Sequence, residues 1–294
     1  MNDVVGSVAS DKDPAHCRVS DKAANADNPS LPASARLPIN RCNLPAVILG
    51  SLTFQKHPSR LEIDSVAELH RDFFELLARC NDPAERNRHF HQYMTESFRL
   101  DSLEEAGLTE GIKKNRGKLN YLKLIRGWHF NSDQIEGAVL KAWAESRFGL
   151  LPRYHGAPIR DLSEPTYQHY LEQRATGLYN TNALEAQLDL VYTYTQSELV
   201  RRFPDKTHFR LYRGVNGWQA HEKLGQKDGE TLVLLNNVNS FSTDAERAGE
   251  FGDTVFATEV PLAKVFCCAD VLPGKLQGEG EWLVIGGVYG VLPQ

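Results

Sequence analysis

No stretch of the 294-residue sequence approaches the roughly 18 to 20 consecutive apolar residues that a membrane-spanning helix needs. Residues 1–38 lack the basic and apolar segments of a signal peptide, so the chain is expected to be soluble and cytoplasmic. Cysteine is sparse. Cys17, Cys42, Cys80, Cys267 and Cys268 form no CxxC pair, and an odd, scattered set suits neither a disulfide framework nor a zinc site; buried free thiols are expected. Clusters of one charge are missing too. With a formal net charge of -5 and no dense Lys/Arg stripe, the electrostatic footprint of a nucleic-acid binder is absent.

Several catalytic signatures are lacking as well. There is no GxxxxGK[ST], GxSxG or HExxH, which excludes the P-loop and the commonest hydrolase patterns. Gly278 and Gly280 are not followed by the third glycine of a dinucleotide fingerprint and open no helix inside a βαβ unit, so any nucleotide site must be built differently. His89 and His91, two apart on a helix, point to different sides, and no carboxylate or thiol is expected to complete a ligand set. They read as solvated helix surface, and no metal is expected.

What is present divides the chain in three. Residues 1–38, rich in Asp, Ala, Ser, Asn and Pro, cannot bury enough apolar surface to offset ordering entropy and are expected to form a disordered tail. Residues 39–205 read as a mainly helical lobe. Ordered structure is expected from Leu44 to Phe54. From Ser65, apolar residues at Val66, Leu69, Phe73, Leu76, Leu77 and Cys80 recur at three and four, with Ser65 and Glu68 as a capping box. Asp82, Pro83 and Glu85 start a second helix, and two more are expected at about 133–148 and 184–203. After Pro204 short β-prone runs take over: His208 to Arg213, Thr231 to Phe241, Thr254 to Val260, Val265 to Val271 and Glu281 to Val291. One short helix capped by Asp244 is expected among them, ending near Phe251. The fold class is α+β: a helical N-terminal lobe followed by a compact, mostly antiparallel β core over 206–294.

The chemistry centres on Glu279-Gly280-Glu281, where a Gly- and Lys-containing loop runs into an apolar strand. If the strand begins at 279, its alternation turns both carboxylates to one side; the alternative for the tripeptide alone is an acidic, solvated loop end. Arg213, in Leu211-Tyr212-Arg213-Gly214, and Phe241-Ser242-Thr243 end two earlier strands. Taken together the three segments resemble the Arg, Ser-Thr-Ser, Glu-x-Glu pattern of arginine-specific mono-ADP-ribosyltransferases over roughly residues 208–291. Asn131-Ser132-Asp133, Ser146 to Pro152 and Tyr179-Asn180-Thr181-Asn182 extend the likeness upstream, to the bacterial dinitrogenase reductase ADP-ribosyltransferases.

That resemblance implies an ADP-ribosyltransferase-type core with NAD as ADP-ribose donor, an arginine of dinitrogenase reductase as acceptor, and regulation through a PII signal-transduction protein. Glu281 would bind the 2'-hydroxyl of the nicotinamide ribose and stabilise its developing positive charge. Glu279 would orient the acceptor guanidinium and draw off its proton; in this superfamily a Gln there goes with other acceptors. Arg213 would hold the diphosphate, with Gly214, Ser242 and Thr243 completing the NAD-binding set. The alternative for Arg213 is a surface ion pair, and for Ser242 a turn-capping hydroxyl. Asp244 replaces the second serine of the pattern. Trp218 and Phe251 could stack on nicotinamide, but large aromatics near strand ends are more often core and are read so. Two other functions stay open: the same transfer to a different protein arginine, or a non-catalytic NAD sensor on this fold.

Overall fold

The computed structural model describes residues 29–101, 119–179, 181, 183–272 and 280–294. Helices fill the first part: α1 (Ala46–Leu49), α2 (Leu52–Lys56), α3 (Val66–Leu69), α4 (Arg71–Arg79), α5 (Pro83–Phe98), α6 (Tyr121–Phe130), α7 (Ile135–Phe148), α8 (Pro165–Leu178) and α9 (Leu184–Arg202). The strands follow: β1 (His208–Val215), β2 (Lys223–Lys227), β3 (Glu230–Ser242), then α10 (Ala245–Gly249), β4 (Thr254–Pro261), β5 (Val265–Cys268) and β6 (Glu281–Pro293). The α+β order expected from the sequence holds.

Local chemistry explains most of the boundaries. Asp82 accepts from the amides of Ala84 and Glu85 with Pro83 at the first position, and α5 begins there. Asp244 caps α10 through the amide of Glu246. The Ser65–Glu68 capping box does not form: Ser65 sits in the left-handed region at φ 66° with no side-chain cap, and the expected single helix breaks at His70 into α3 and α4. Residues 29–38 also depart from the expected tail. Leu31 and Ala35 are buried in the main core, and Arg36 bridges to Leu150, because the hollow beside Gly50 and Leu150 accepts the Leu31 side chain.

α7 is the central helix, buried on nearly every side from Gly137 to Phe148. Its charged residues are buried with partners: Arg147 makes a bidentate pair with Asp189 at 2.8 and 2.9 Å, and Glu145 accepts from Tyr170 and Arg174. A bulge between Leu235 and Val238 in β3 lets Asn237 donate to the carbonyls of Lys141 and Leu150, locking the sheet to α7.

Among the described residues six antiparallel strands run β2-β3-β1-β4-β6-β5, with β3 also paired to β6 along most of its length. The sheet thus splays in two. β1 pairs fully with β4 but meets β3 only at Tyr212–Ser242, and β4 meets β6 only at Phe256–Pro293 and Ala257–Leu292. Gln55 of α2 plugs the second gap: it donates to Thr258 and the Glu259 carbonyl and accepts from the Gly290 amide. The first gap, between β1 and β3, stays open as a cleft.

Cys42, Cys80, Cys267 and Cys268 are free and buried, as expected; Cys17 lies outside the described residues. Lys264 is also fully buried. Its ammonium donates to the Gly286 carbonyl at 2.9 Å over the rings of Tyr289 and Phe54, and burial lowers its pKa to about 7. In the unfolded chain a lysine titrates near 10.4. Between those values the unfolded state binds the extra proton, so this residue makes stability rise with pH from about 7 towards about 10. Lys264→Met is expected to remove that rise, and urea midpoints of both proteins over this range test it. Parallel profiles would show that the lysine stays charged when folded.

Candidate active site

The cleft between β1 and β3 holds a cavity of about 630 Å³, within the usual range for small-molecule sites. Its walls come from both parts of the chain: Trp128, His129 and Phe130 end α6, Asn131 and Ser132 follow, and Tyr212, Arg213, Ser240, Phe241, Ser242 and Glu281 come from the strands. A contiguous lobe of about 360 Å³ shares Trp128, Arg213 and Ser240 and extends to Asp133, Arg153, Arg160, His221 and Glu222.

Arg213 projects from β1 where the strands diverge, and its Nη1 donates to the Ser240 carbonyl at 2.6 Å, an acceptor that no β1 amide uses. Trp128 Nε1 holds the Ser240 hydroxyl at 2.9 Å and so ties α6 to the same point. Burial lowers the Arg213 pKa to about 10, partly opposed by the charge of Asp133. The group remains a cation at neutral pH. Among the described residues no carboxylate lies within ion-pair distance of it, so the surface ion pair does not form and the charge faces the cavity.

Gly214 lines the cavity and has a packing reason as well: a Cβ there would lie 1.9 Å from the Ala248 carbonyl, so only glycine lets α10 settle on β1. The Ser242 hydroxyl accepts from the Asp244 amide at 3.0 Å, which is the turn-capping alternative, while the β3–β6 register sets Ser242 directly opposite Glu281. Asp244, in place of a serine, spends its carboxylate on the α10 cap. Thr243 is exposed beside Gly280 and is not among the lining residues. Glu279 lies outside the described residues.

Glu281 opens β6 at the cavity wall, and His129 Nδ1 contacts its Oε2. Burial holds the His129 pKa below its ordinary value, favouring the neutral ring. Trp128, His129 and Ser240 were not singled out from the sequence, although α6 carries a periodic stripe of buried Tyr121, Leu124, Ile125 and Trp128 that could have revealed the helix; the contacts of His129 and Ser240 leave no such mark. Only Asn131-Ser132-Asp133 gave a signal, through the resemblance. Behind the cleft, Lys141 is buried with Asp133 at 2.9 Å and His155 at 3.1 Å, and burial lowers its pKa to about 8.

Phe251 was expected in the core but is 56% exposed at the cavity rim, whereas Trp218 packs on Phe256. The two histidines of α5 also differ from the solvated surface expected. His91 bonds the Tyr121 hydroxyl at 2.8 Å, and His89 lies with Glu85 and Cys80 so that their ligand atoms fall within 4.8 Å of one another. Glu85 sits one turn before His89 on α5 itself, and the turn from α4 to α5, invisible in the sequence, supplies the thiol of Cys80. No described helix is long and apolar enough to cross a membrane.

A splayed antiparallel sheet whose cleft is lined by an unneutralised arginine on one strand and by a serine and a glutamate paired across two others is the arrangement expected of an ADP-ribosyltransferase. The chain belongs to the dinitrogenase reductase ADP-ribosyltransferase family, whose model matches residues 39–292. It is 37% identical over 254 residues to the NAD(+)--dinitrogen-reductase ADP-D-ribosyltransferase of Rhodospirillum rubrum, covering 85% of this chain and 92% of that protein. No solved structure matches.

Proposed function

We propose that this protein transfers ADP-ribose from NAD to one arginine of dinitrogenase reductase, inactivating it and so regulating nitrogen fixation. The observation that carries the reading is the cleft itself, in which the Arg213 cation and the Glu281 carboxylate line one cavity of about 630 Å³. NAD fits that pair. Arg213 would take the diphosphate by charge-assisted hydrogen bonds, with Gly214 and Ser242 beside it and Thr243 outside the cavity wall. Glu281 would hold the nicotinamide ribose, whose ring gains positive charge as the bond to nicotinamide breaks. A neighbouring carboxylate, Glu279, would accept the proton of the incoming guanidinium, which stays protonated in water. Because α6 and the strands share the cavity, residues 39–205 and 206–294 would act as one catalytic unit.

The cytoplasm is the proposed place of action, since the target named for the relative must be met there, and a PII protein is the proposed regulator by family resemblance. Incubation with labelled NAD and purified dinitrogenase reductase tests the reading: label should appear on one arginine. Label on some other protein alone would favour a different target, and no consumption of NAD would favour a sensor.

Arg213→Ala is expected to weaken NAD binding about tenfold or more, the usual scale for losing a charged hydrogen bond to a ligand. Titration calorimetry of the folded variant measures this. An unchanged dissociation constant would remove Arg213 from the diphosphate.

A further inference from the structure

We propose that His129 is a positioning residue for Glu281: its Nδ1–H donates to Glu281 Oε2 and leaves Oε1 free for the ribose hydroxyl. This rests on the reading of Glu281 given above and adds a residue that the motif does not contain. His129 and Glu281 are brought together from the last turn of α6 and the first residue of β6, and both line the same cavity.

Three observations support a donor role. The end of α6 is pinned, because Trp128, the preceding residue, bonds Ser240 on β3, so the imidazole approaches Glu281 from a fixed base. Burial lowers the His129 pKa and favours the neutral ring, whose Nδ1 can then carry the single proton while Nε2 keeps a lone pair. Glu281, in turn, has its backbone held by pairing with Ser242 and by the Ala269 amide, which bonds its carbonyl at 3.2 Å, but those contacts leave the side-chain torsions free. Among the described residues, His129 is the group that reaches its carboxylate.

The physical consequence is preorganisation. A donor on one oxygen favours the ionised carboxylate and fixes its plane before NAD arrives, so no reorientation is needed as charge develops on the ribose. Misplacing a catalytic group by about 1 Å can cost roughly a hundredfold in rate.

The test compares His129→Leu, which removes the donor, with His129→Asn, whose amide nitrogen falls near the place of Nδ1. NAD hydrolysis and transfer to dinitrogenase reductase are both measured, with kcat and KM for NAD taken separately. We expect His129→Leu to lower kcat of both reactions by the same factor, between about tenfold and a hundredfold, with KM for NAD little changed. His129→Asn should recover most of that loss. In a Glu281→Gln background, His129→Leu should cost nothing further, because its effect passes through the missing carboxylate. An unchanged kcat in His129→Leu, an Asn variant no better than Leu, or a loss confined to transfer would overturn the proposal. Should His129→Leu fail to fold, His129→Asn against His129→Gln decides, since Gln reaches the Nε2 position instead; equal activity overturns it. A wild-type protein that does not cleave NAD would overturn the functional reading itself, whereas an inactive Glu281→Gln beside an unaffected His129→Leu would sink only this inference.

Discussion

Glu281→Gln is expected to lower both transfer to protein and hydrolysis of NAD by at least about a hundredfold, the scale of losing an electrostatic contact made mainly in the transition state. The amide keeps the size of the side chain and a place opposite Ser242 in the β3–β6 register, so the fold should survive. What it would lose is the negative charge proposed to face the ribose. Both reactions break the same bond and should fall together. Glu279→Gln should behave differently, because its carboxylate is assigned only to the acceptor: NAD should still be hydrolysed by water while transfer to arginine drops far more. Both rates measured on each purified variant decide the matter. Retention of either activity near the wild-type level in Glu281→Gln would remove that residue from the chemistry, and equal losses in Glu279→Gln would leave the arginine acceptor without its chemical basis.

The largest stability effect is expected outside the cleft lining, at Arg86. Its guanidinium is buried and donates from Nε and Nη2 to both oxygens of buried Glu198, at 2.5 and 3.0 Å, and from Nη1 to the carbonyls of Cys80 and Asn81 at the α4–α5 corner. Arg86→Met would leave the Cys80 carbonyl to the longer 3.4 Å bond from Arg201, and buried Glu198 to Arg202 alone. Removing one partner of a buried pair typically costs about 3–5 kcal/mol because the other charge stays buried. For a chain of this size that corresponds to a fall in Tm on the order of 10 °C. Arg60→Ala, which breaks the solvent-exposed pair with Glu62, should by contrast leave Tm nearly unchanged. Differential scanning calorimetry of the two variants makes the comparison. A Tm for Arg86→Met within a degree or two of wild type would mean that the corner relaxes to solvate its own polar groups.

Much of the fold could be read from short-range pattern. Helix starts at Asp82 and Asp244 were legible because a capping carboxylate leaves a sequence mark, and the strands after Pro204 because β-branched and aromatic runs do so too. α6, α8 and β2 were not anticipated. α8 is polar over most of its length; it packs through a short face of Tyr167, Tyr170 and Leu171 on Ala138, Ala142 and Ile159, and through Gly177, where a Cβ would lie 2.4 Å from Val139. β2 is an edge strand of Lys, Gly and Gln without a buried face, held by backbone pairing to β3. Residues 31–38 read as tail because two small contacts, Leu31 and Ala35, are invisible to composition.

The sequence by itself determined the fold class, the passage from helices to strands after Pro204, and a set of three motif segments, because each depends on neighbours a few residues apart. The tertiary structure alone decided how the motif residues meet. The splaying of β1 from β3, the release of the Ser240 carbonyl to Arg213, and the approach of His129 to Glu281 join positions up to 152 residues apart in sequence. Such contacts follow from how layers pack and where hydrogen-bond ladders run out, and no local periodicity encodes either.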